Sequence, residues 1–394
     1  MNHREVFLRH QAQTTPYPLG IEVSHAEGTY IYDVQGRAYM DLIAGIAVTN
    51  TGHRHPRVVA AIKAQVDKYL HVMPYGEFVQ HPQTELALRL CAHLPKGIDT
   101  TYFVNSGAEA IEGAMKVAKR YTGRTGLVAC HRSYHGSTHG ALSVSGNEKK
   151  KYAFRPLLPD VRFITHNDPA DLDVIGHDTA AVIIETIQGD AGVRIPTPGY
   201  MQALRARCTE VGALLVADEI QTGFGRTGRW WAFEHYHVVP DVVVMAKSMA
   251  GGMAMGCFAG RHEVMRTLMS DPMLGHITTF GGHPVCCAAA VANIEALETE
   301  DMIGQCEAKG AYFAARLQHP HLRELRRKGL MLALEFDSAE RVYRIVDLLL
   351  QKGVIAFYFL SCPESFRLAP PLNISYEDLD KAAGLIREAV DETG

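Results

Sequence analysis

Residues 214–247 read LLVADEIQTGFGRTGRWWAFEHYHVVPDVVVMAK. Two continuous apolar runs stand in this stretch, and each ends in a charge: LLVA closes on Asp218, and VVVMA closes on Lys247. Continuous rather than alternating runs predict strands covered on both faces, as in a parallel sheet between helices. The same pattern extends upstream. TTYFV (100–104), LVAC (127–130), VRFI (161–164) and AAVIIE (180–185) alternate with helical stretches such as AIEGAMKVAKRY (110–121) and GYMQALRARCTEVG (199–212). The fold class is therefore α/β, with a mainly parallel sheet flanked by helices. In such sheets chemistry gathers beyond the carboxyl ends of the strands, so the polar residues at those ends are the first candidates for a site.

Outside this centre the pattern changes. The opening reads as turns and strands: residues 28–33 alternate apolar and polar, and Asp33 to Gly36 supply a turn before a second strand. Val58, Ile62 and Val66 have helical spacing, and TELALRLCAHL from Thr84 predicts another helix. Beyond residue 285 come a long helix (VCCAAAVANIEALE), strands (LMLALEF, FRLAPPL) and an amphipathic closing helix with Ser375 as N-cap. A chain of 394 residues exceeds what one core usually serves. The expected division is a large domain over 51–285 and a smaller α+β domain made from both chain ends, 1–50 and 286–394.

Bulk composition narrows the function. Hydrophobic residues make up 47% and charged residues 21%, ordinary for a soluble globular protein. A formal charge of −4 gives no support to a nucleic-acid partner or an acidic membrane surface. No apolar run reaches the roughly 20 residues that span a bilayer, and MNHREVFLRHQAQ lacks the apolar stretch of a secretory signal. Eight cysteines, at 91, 130, 208, 257, 286, 287, 306 and 362, fit neither a disulfide framework nor a zinc site, so reduced thiols in a cytoplasm are expected.

Three strand ends carry the chemistry. Val104-Asn105-Ser106-Gly107-Ala108-Glu109-Ala110 joins a strand to a helix whose first N–H groups lack internal partners, which makes either an anion site or a plain cap. Asp218 follows an apolar strand and needs a partner there. Lys247 either snorkels to solvent or is a desolvated amine suited to imine formation. An acid facing a pyridine nitrogen and an amine forming an imine are what a pyridoxal cofactor requires.

Ordered motifs along nearly the whole chain sharpen this reading. They include Gly52-His53-Arg54-His55-Pro56, the Asn105–Ala110 segment, Tyr134-His135-Gly136, Glu185-Thr186-Ile187-Gln188-Gly189, Ala217 through Gly228, Lys247, Thr279-Phe280-Gly281-Gly282 and Arg367-Leu368-Ala369-Pro370-Pro371. With them the chain resembles the class III (ornithine/ω-amino acid) aminotransferases, which are fold type I pyridoxal 5′-phosphate enzymes. The resemblance implies that Lys247 holds the cofactor as a Schiff base and moves the proton, and that Asp218 keeps the pyridine nitrogen protonated. It implies that Gln221 bonds the phenolic oxygen and that Ser106, Gly107 and Ala108 cradle the phosphate. Tyr134 would stack on the ring, with His135 and Glu185 beside it. Arg367 would pair with a substrate carboxylate, and Tyr75 would line the substrate mouth. It further implies a homodimer in which Thr279 reaches the neighbouring site, an amino donor and a 2-oxo acid (2-oxoglutarate or pyruvate) as partners, and ping-pong amino transfer.

Other signals weigh less. Gly223 to Gly228 fits GxGxxG, but Glu219 to Thr222 separate it from the strand and RWWAFEHY is a poor opening helix; a solvated, partly mobile loop is expected instead of a nucleotide site. His131, His135 and His139 recur every four residues, yet Ser133, Gly136 and Gly140 argue for a loop, and no further ligand completes a metal set. Ala246-Lys247-Ser248 lacks the glycines of a phosphate loop.

Four positions depart from the family pattern. Ser137 stands where members acting on 4-aminobutyrate, ornithine or acetylornithine commonly carry arginine, so a donor without a carboxylate at that distance is expected. Asp190 stands where the family often has a Glu that holds the carboxylate-binding arginine and releases it to a dicarboxylate. The shorter Asp is expected to reach Arg367 less well and leave it freer. Thr186 replaces a usual Pro and His283 a usual Asn. Alternatives on the same scaffold are an acetylornithine, ornithine or 4-aminobutyrate aminotransferase, an aminomutase, a decarboxylase, or a catalytically idle homologue.

Overall fold

The computed structural model describes residues 2–394. The described residues build three sheets. The largest has seven strands in the order Thr100–Val104, Gly256–Gly260, Val242–Met245, Leu214–Asp218, Thr179–Glu185, Gly126–Cys130, Val161–Ile164. The last five run parallel. Gly256–Gly260 lies antiparallel to both of its neighbours. The strands Thr179–Glu185, Leu214–Asp218 and Val242–Met245 are buried along their whole length, as their unbroken apolar sequence requires.

The antiparallel strand was not legible in the sequence. GCFAG has one large side chain and a glycine at each end, a poor strand signature. The glycine is demanded by the neighbouring chain: a Cβ on Gly256 would stand 2.3 Å from the carbonyl oxygen of Ser106.

Helix Gly107–Thr122 covers the sheet with Ala110, Ile111, Ala114, Met115, Val117 and Ala118, and Ser106 caps it by accepting from the Glu109 N–H at 3.2 Å. Helix Pro284–Thr299 packs against Pro56–Val66 and His81–His93, with Cys286 and Cys287 buried in it. All eight cysteines are unpaired thiols. Both chain ends meet in one sheet, where Val354–Ile355 pairs parallel to Ala38–Asp41, next to Tyr30–Asp33 and Val23–Glu27. A third sheet orders Glu324–Lys328, Met331–Glu335, Ser365–Leu368 and Phe357–Tyr358. The closing helix Tyr376–Asp391 is capped by Ser375.

Two expectations are corrected. The chain opens with a helix, His3–His10, because Asn2 and Glu5 form a reciprocal capping box over a polar segment. The Gly223–Gly228 segment is no solvated loop; residues 222–227 are buried. Phe224 packs edge-on to Trp231 at 5.1 Å between centroids, and the fully buried Arg226 donates to the Leu330 and Pro370 carbonyls at 3.0 and 2.6 Å and to Asn50 Oδ1. Burial pulls the Arg226 guanidinium down to about 10.

Replacing Arg226 by Met is expected to destabilise the protein by about 3 kcal/mol, because it strands three buried acceptors contributed by distant segments. Replacing the exposed neighbour Arg229 should cost less than about 0.5 kcal/mol. Urea denaturation of both variants checks this; equal losses would refute the clamp.

Candidate active site

A cavity of about 680 Å³ opens beyond the carboxyl ends of the central strands. Strand register builds its floor. Glu185 is paired with Asp218, and Asp218 with Val244, so two carboxylates end level with each other and Lys247 follows three residues past the third strand's pairing point. All three side chains line the cavity.

Asp218 is buried and fixed on both oxygens. Its Oδ2 lies 2.6 Å from His135 Nδ1, and its Oδ1 accepts from the Ile220 N–H at 3.0 Å. Burial works against charging His135, but the hydrogen bond and charge of Asp218 outweigh it and raise the imidazole above its ordinary value. The other ring nitrogen, Nε2, is buried without a partner. Glu185 accepts from the Tyr134 and Gly189 N–H groups, each at 3.1 Å, and burial pushes its carboxyl up to about 7.

Lys247 takes a left-handed backbone conformation (φ 48°), uncommon for a residue with a side chain and a form of strain found at functional sites. Burial draws its amine down to about 8, with the charge of Asp218 pulling the other way and that of Arg367 adding to the fall. Its half-buried side chain lines the cavity.

The opposite wall is the start of helix Gly107–Thr122. Ser106, Gly107 and Ala108 line the cavity, and first-turn N–H groups have no intrahelical carbonyl to bond. Two close contacts shape this wall: a Cβ on Gly107 would stand 2.8 Å from Ile220 Cδ1, and one on Gly136 (φ 136°) would stand 2.7 Å from Ala108 Cβ. Tyr134 and Gln221 also line the cavity. An anion-ready helix start, a fixed carboxylate and a desolvated amine around one space fit the donor set that pyridoxal phosphate needs.

Nine of the residues singled out in the sequence thus meet in one cavity: Ser106, Gly107, Ala108, Tyr134, His135, Glu185, Asp218, Gln221 and Lys247. Tyr75 and Thr279 lie elsewhere, beside each other, with the hydroxyls 3.5 Å apart on an exposed face. Arg367 is buried just outside the lining and close enough to act on Lys247. Of the recurring histidines, only His135 faces the cavity; His139 begins the short helix His139–Val144, where a loop was expected.

The expectation of a freer Arg367 is overturned. Asp190 Oδ1 lies 2.9 Å from Arg367 Nη2, both buried, so the short side chain still reaches the guanidinium. The other two departures acquire physical roles. Thr186 donates to Glu219 Oε1 at 2.7 Å, one of four bonds that hold this fully buried carboxyl, which burial raises to about 7. His283 caps helix Pro284–Thr299 by accepting from the Val285 N–H at 3.3 Å.

Sequence reading missed Lys150. Within NEKKKY it looks like any solvated charge run, yet its Nζ lies 2.8 Å from Asp190 Oδ2 and 5.0 Å from the centre of the Tyr134 ring.

Comparisons with known proteins identify the family. The family described as aminotransferase class-III matches residues 11–390. The chain is 40% identical over 376 residues to an acetylornithine aminotransferase of Methanosarcina mazei, covering 93% of this chain and 91% of that protein. It is 35% identical over 377 residues to one of Bacillus subtilis, covering 94% and 95%. Among solved structures, the ornithine aminotransferase of Toxoplasma gondii superposes with a TM-score of 0.92 at 29% identity, over 100% of this chain and 96% of that one. A transaminase of the marine bacterium Virgibacillus gives 0.94 at 25%, over 99% and 98%.

The depressed Lys247 amine sets a pH dependence for the cofactor-free protein. Between about 8 and 10.5 the unfolded chain binds the proton and the folded one does not, so folding stability rises with pH across this window. Wild type is expected to gain about 2 kcal/mol relative to Lys247→Met there, less than the full shift because the amine touches cavity water. Urea denaturation at pH 7.5 and 10.5 measures the difference; identical pH slopes would remove the buried amine from the account.

Proposed function

Since the chain belongs to the class-III aminotransferase family, whose members depend on pyridoxal 5′-phosphate, we propose that it moves an amino group from an ω-amine or amino acid donor to a 2-oxo acid such as 2-oxoglutarate or pyruvate. The observation that carries this reading is the meeting of Asp218, Lys247 and the Gly107–Thr122 helix start around one cavity.

When bound, pyridoxal phosphate supplies an aldehyde that exchanges amines and a ring that accepts carbanion electrons. The chain's residues divide the remaining work. The main-chain N–H groups of Gly107 and Ala108, with the Ser106 segment, would hold the phosphate. Asp218 would hold a proton on the ring nitrogen, and His135 orients that carboxylate through its 2.6 Å bond. Gln221 would bond the phenolic oxygen, and Tyr134 would cover the ring face. Lys247 would bond the aldehyde and, once displaced by the donor amine, carry the proton between donor carbon and cofactor carbon. Arg367 would take the substrate carboxylate in a planar two-point contact after leaving Asp190.

A homodimer belongs to the same reading. Phe78, Val79, Ile277 and Phe280 are exposed in the two segments that meet through the Tyr75–Thr279 and His71–Thr279 contacts, and exposed apolar side chains gathered in this way mark an interaction surface. A second copy seated there would bring Thr279 to the neighbouring phosphate. A cytoplasmic setting is supported by the unpaired thiols. No helix among the described residues is long and apolar enough to cross a membrane.

The identity to acetylornithine aminotransferases favours a second reading, with acetylornithine as donor. Against it stands Ser137, whose hydroxyl lies 3.3 Å from that of Tyr134 and offers no charge to a donor carboxylate.

Borohydride reduction of the holoenzyme should fix the cofactor to the wild-type chain and add its mass, whereas Lys247→Ala should gain none and lose turnover by at least about 10³-fold. A donor screen following the visible spectrum of the wild type should show amine uptake with ω-amines and recovery with pyruvate or 2-oxoglutarate. Carbon dioxide release or acceptor-free rearrangement would overturn the transaminase reading, and a strong preference for acetylornithine would select the second one. Light scattering should give twice the 43.4 kDa chain mass, and Thr279→Ala should weaken cofactor retention; a monomer in solution refutes the dimer.

A further inference from the structure

Asp190 is held by more than Arg367. Its Oδ1 accepts from Arg367 Nη2 at 2.9 Å and from the Leu360 N–H at 3.3 Å, while its Oδ2 accepts from Lys150 Nζ and from Ser361 Oγ, each at 2.8 Å. One carboxylate thus lies between two cations. The two cations differ in what else they can do. Arg367 is buried, has its guanidinium 4.5 Å over the Phe359 ring, and keeps its Nε without a partner. Lys150 comes from a short turn at residues 148–150, reaches partly to solvent and passes over the ring of Tyr134, which lines the cavity.

If the proposed function is right, Arg367 must exchange Asp190 for a substrate carboxylate. A buried carboxylate that loses its only cation is left at a cost of several kcal/mol. A longer side chain escapes that cost by swinging into solvent. Asp190 has one methylene less and sits in a turn whose neighbours, Gly189 and Ala191, are buried. It therefore has to be neutralised where it stands.

We propose that Lys150 is a positioning residue for carboxylate recognition: it keeps Asp190 paired in place while Arg367 turns to the carboxylate of the incoming 2-oxo acid or amino acid. This rests on the aminotransferase reading and deepens it. The Asp190 position then works as a charge relay with two fixed ends, in which the anion stays and only the guanidinium changes partner. Lys150 itself does not touch the substrate.

Glutarate and propionate, the unreactive oxo-free counterparts of 2-oxoglutarate and pyruvate, are suitable probes of the wild-type holoenzyme and of Lys150→Met, Lys150→Gln, Lys150→Arg, Asp190→Asn and the Lys150→Met/Asp190→Asn double variant, with calorimetric affinity as readout and thermal melting as the check on folding. Lys150→Met and Lys150→Gln should each weaken both probes by about tenfold or more and raise KM for 2-oxo acids to match, with kcat changed by less than about threefold, and Lys150→Arg should restore binding. In the Asp190→Asn background, where no anion needs a keeper, Lys150→Met should change affinity by less than about twofold. Unchanged binding in the single variants, or the same loss in both backgrounds, overturns the proposal; the second result would make Lys150 a direct ligand. A wild type that aminates no 2-oxo acid would instead overturn the aminotransferase reading, so the two failures are distinguishable.

Discussion

The parallel pairing of Leu214–Asp218 with Thr179–Glu185 on one side and Val242–Met245 on the other is the constraint from which the site follows. Hydrogen bonds between these strands bring Glu185, Asp218 and the approach to Lys247 to the same height. A slip of one residue would turn Asp218 toward the other face of a sheet that is apolar throughout. Register is secured by burial on both faces, since Ile183, Ile184, Val216, Ala217, Val243 and Val244 are all enclosed. The charges are therefore carried to the cavity by a hydrophobic frame that has no other place for them.

Around that frame the polar groups form a nested order. Asp218 is held by His135 and Ile220, and Glu185 by Tyr134 and Gly189. One residue further, Glu219 takes four donors and fastens the loop that returns through Ala232 and Phe233. Each of these carboxyls is costly to bury alone, and each is matched by donors from a different segment. The catalytic geometry and the path of the chain around it are set by the same bonds.

Much of this was legible in the residues. Unbroken apolar runs marked the central strands, and nine of the site residues named from the ordered motifs meet in the cavity. What escaped depended on neighbours distant in the chain. Gly256–Gly260 is a strand because Thr100–Val104 and Val242–Met245 pair with it on both sides, and its first residue is glycine because Ser106 leaves no room for a Cβ. Residues 222–227 read as a glycine-rich surface loop, yet carbonyls from Leu330 and Pro370 draw Arg226 inside. The length of Asp190 suggested a weak grip on Arg367, yet the two side chains meet directly in the folded chain. Lys150 sat in a run of three lysines, of which sequence alone could not say which one reached Asp190.

The Arg226 contacts have a bearing on biosynthesis. The guanidinium binds acceptors at residues 50, 330 and 370, so the segment that follows Asp218 has no settled position until almost the entire polypeptide has left the ribosome. Closure of the chain around this guanidinium therefore needs residues from both ends of the sequence to be in place together.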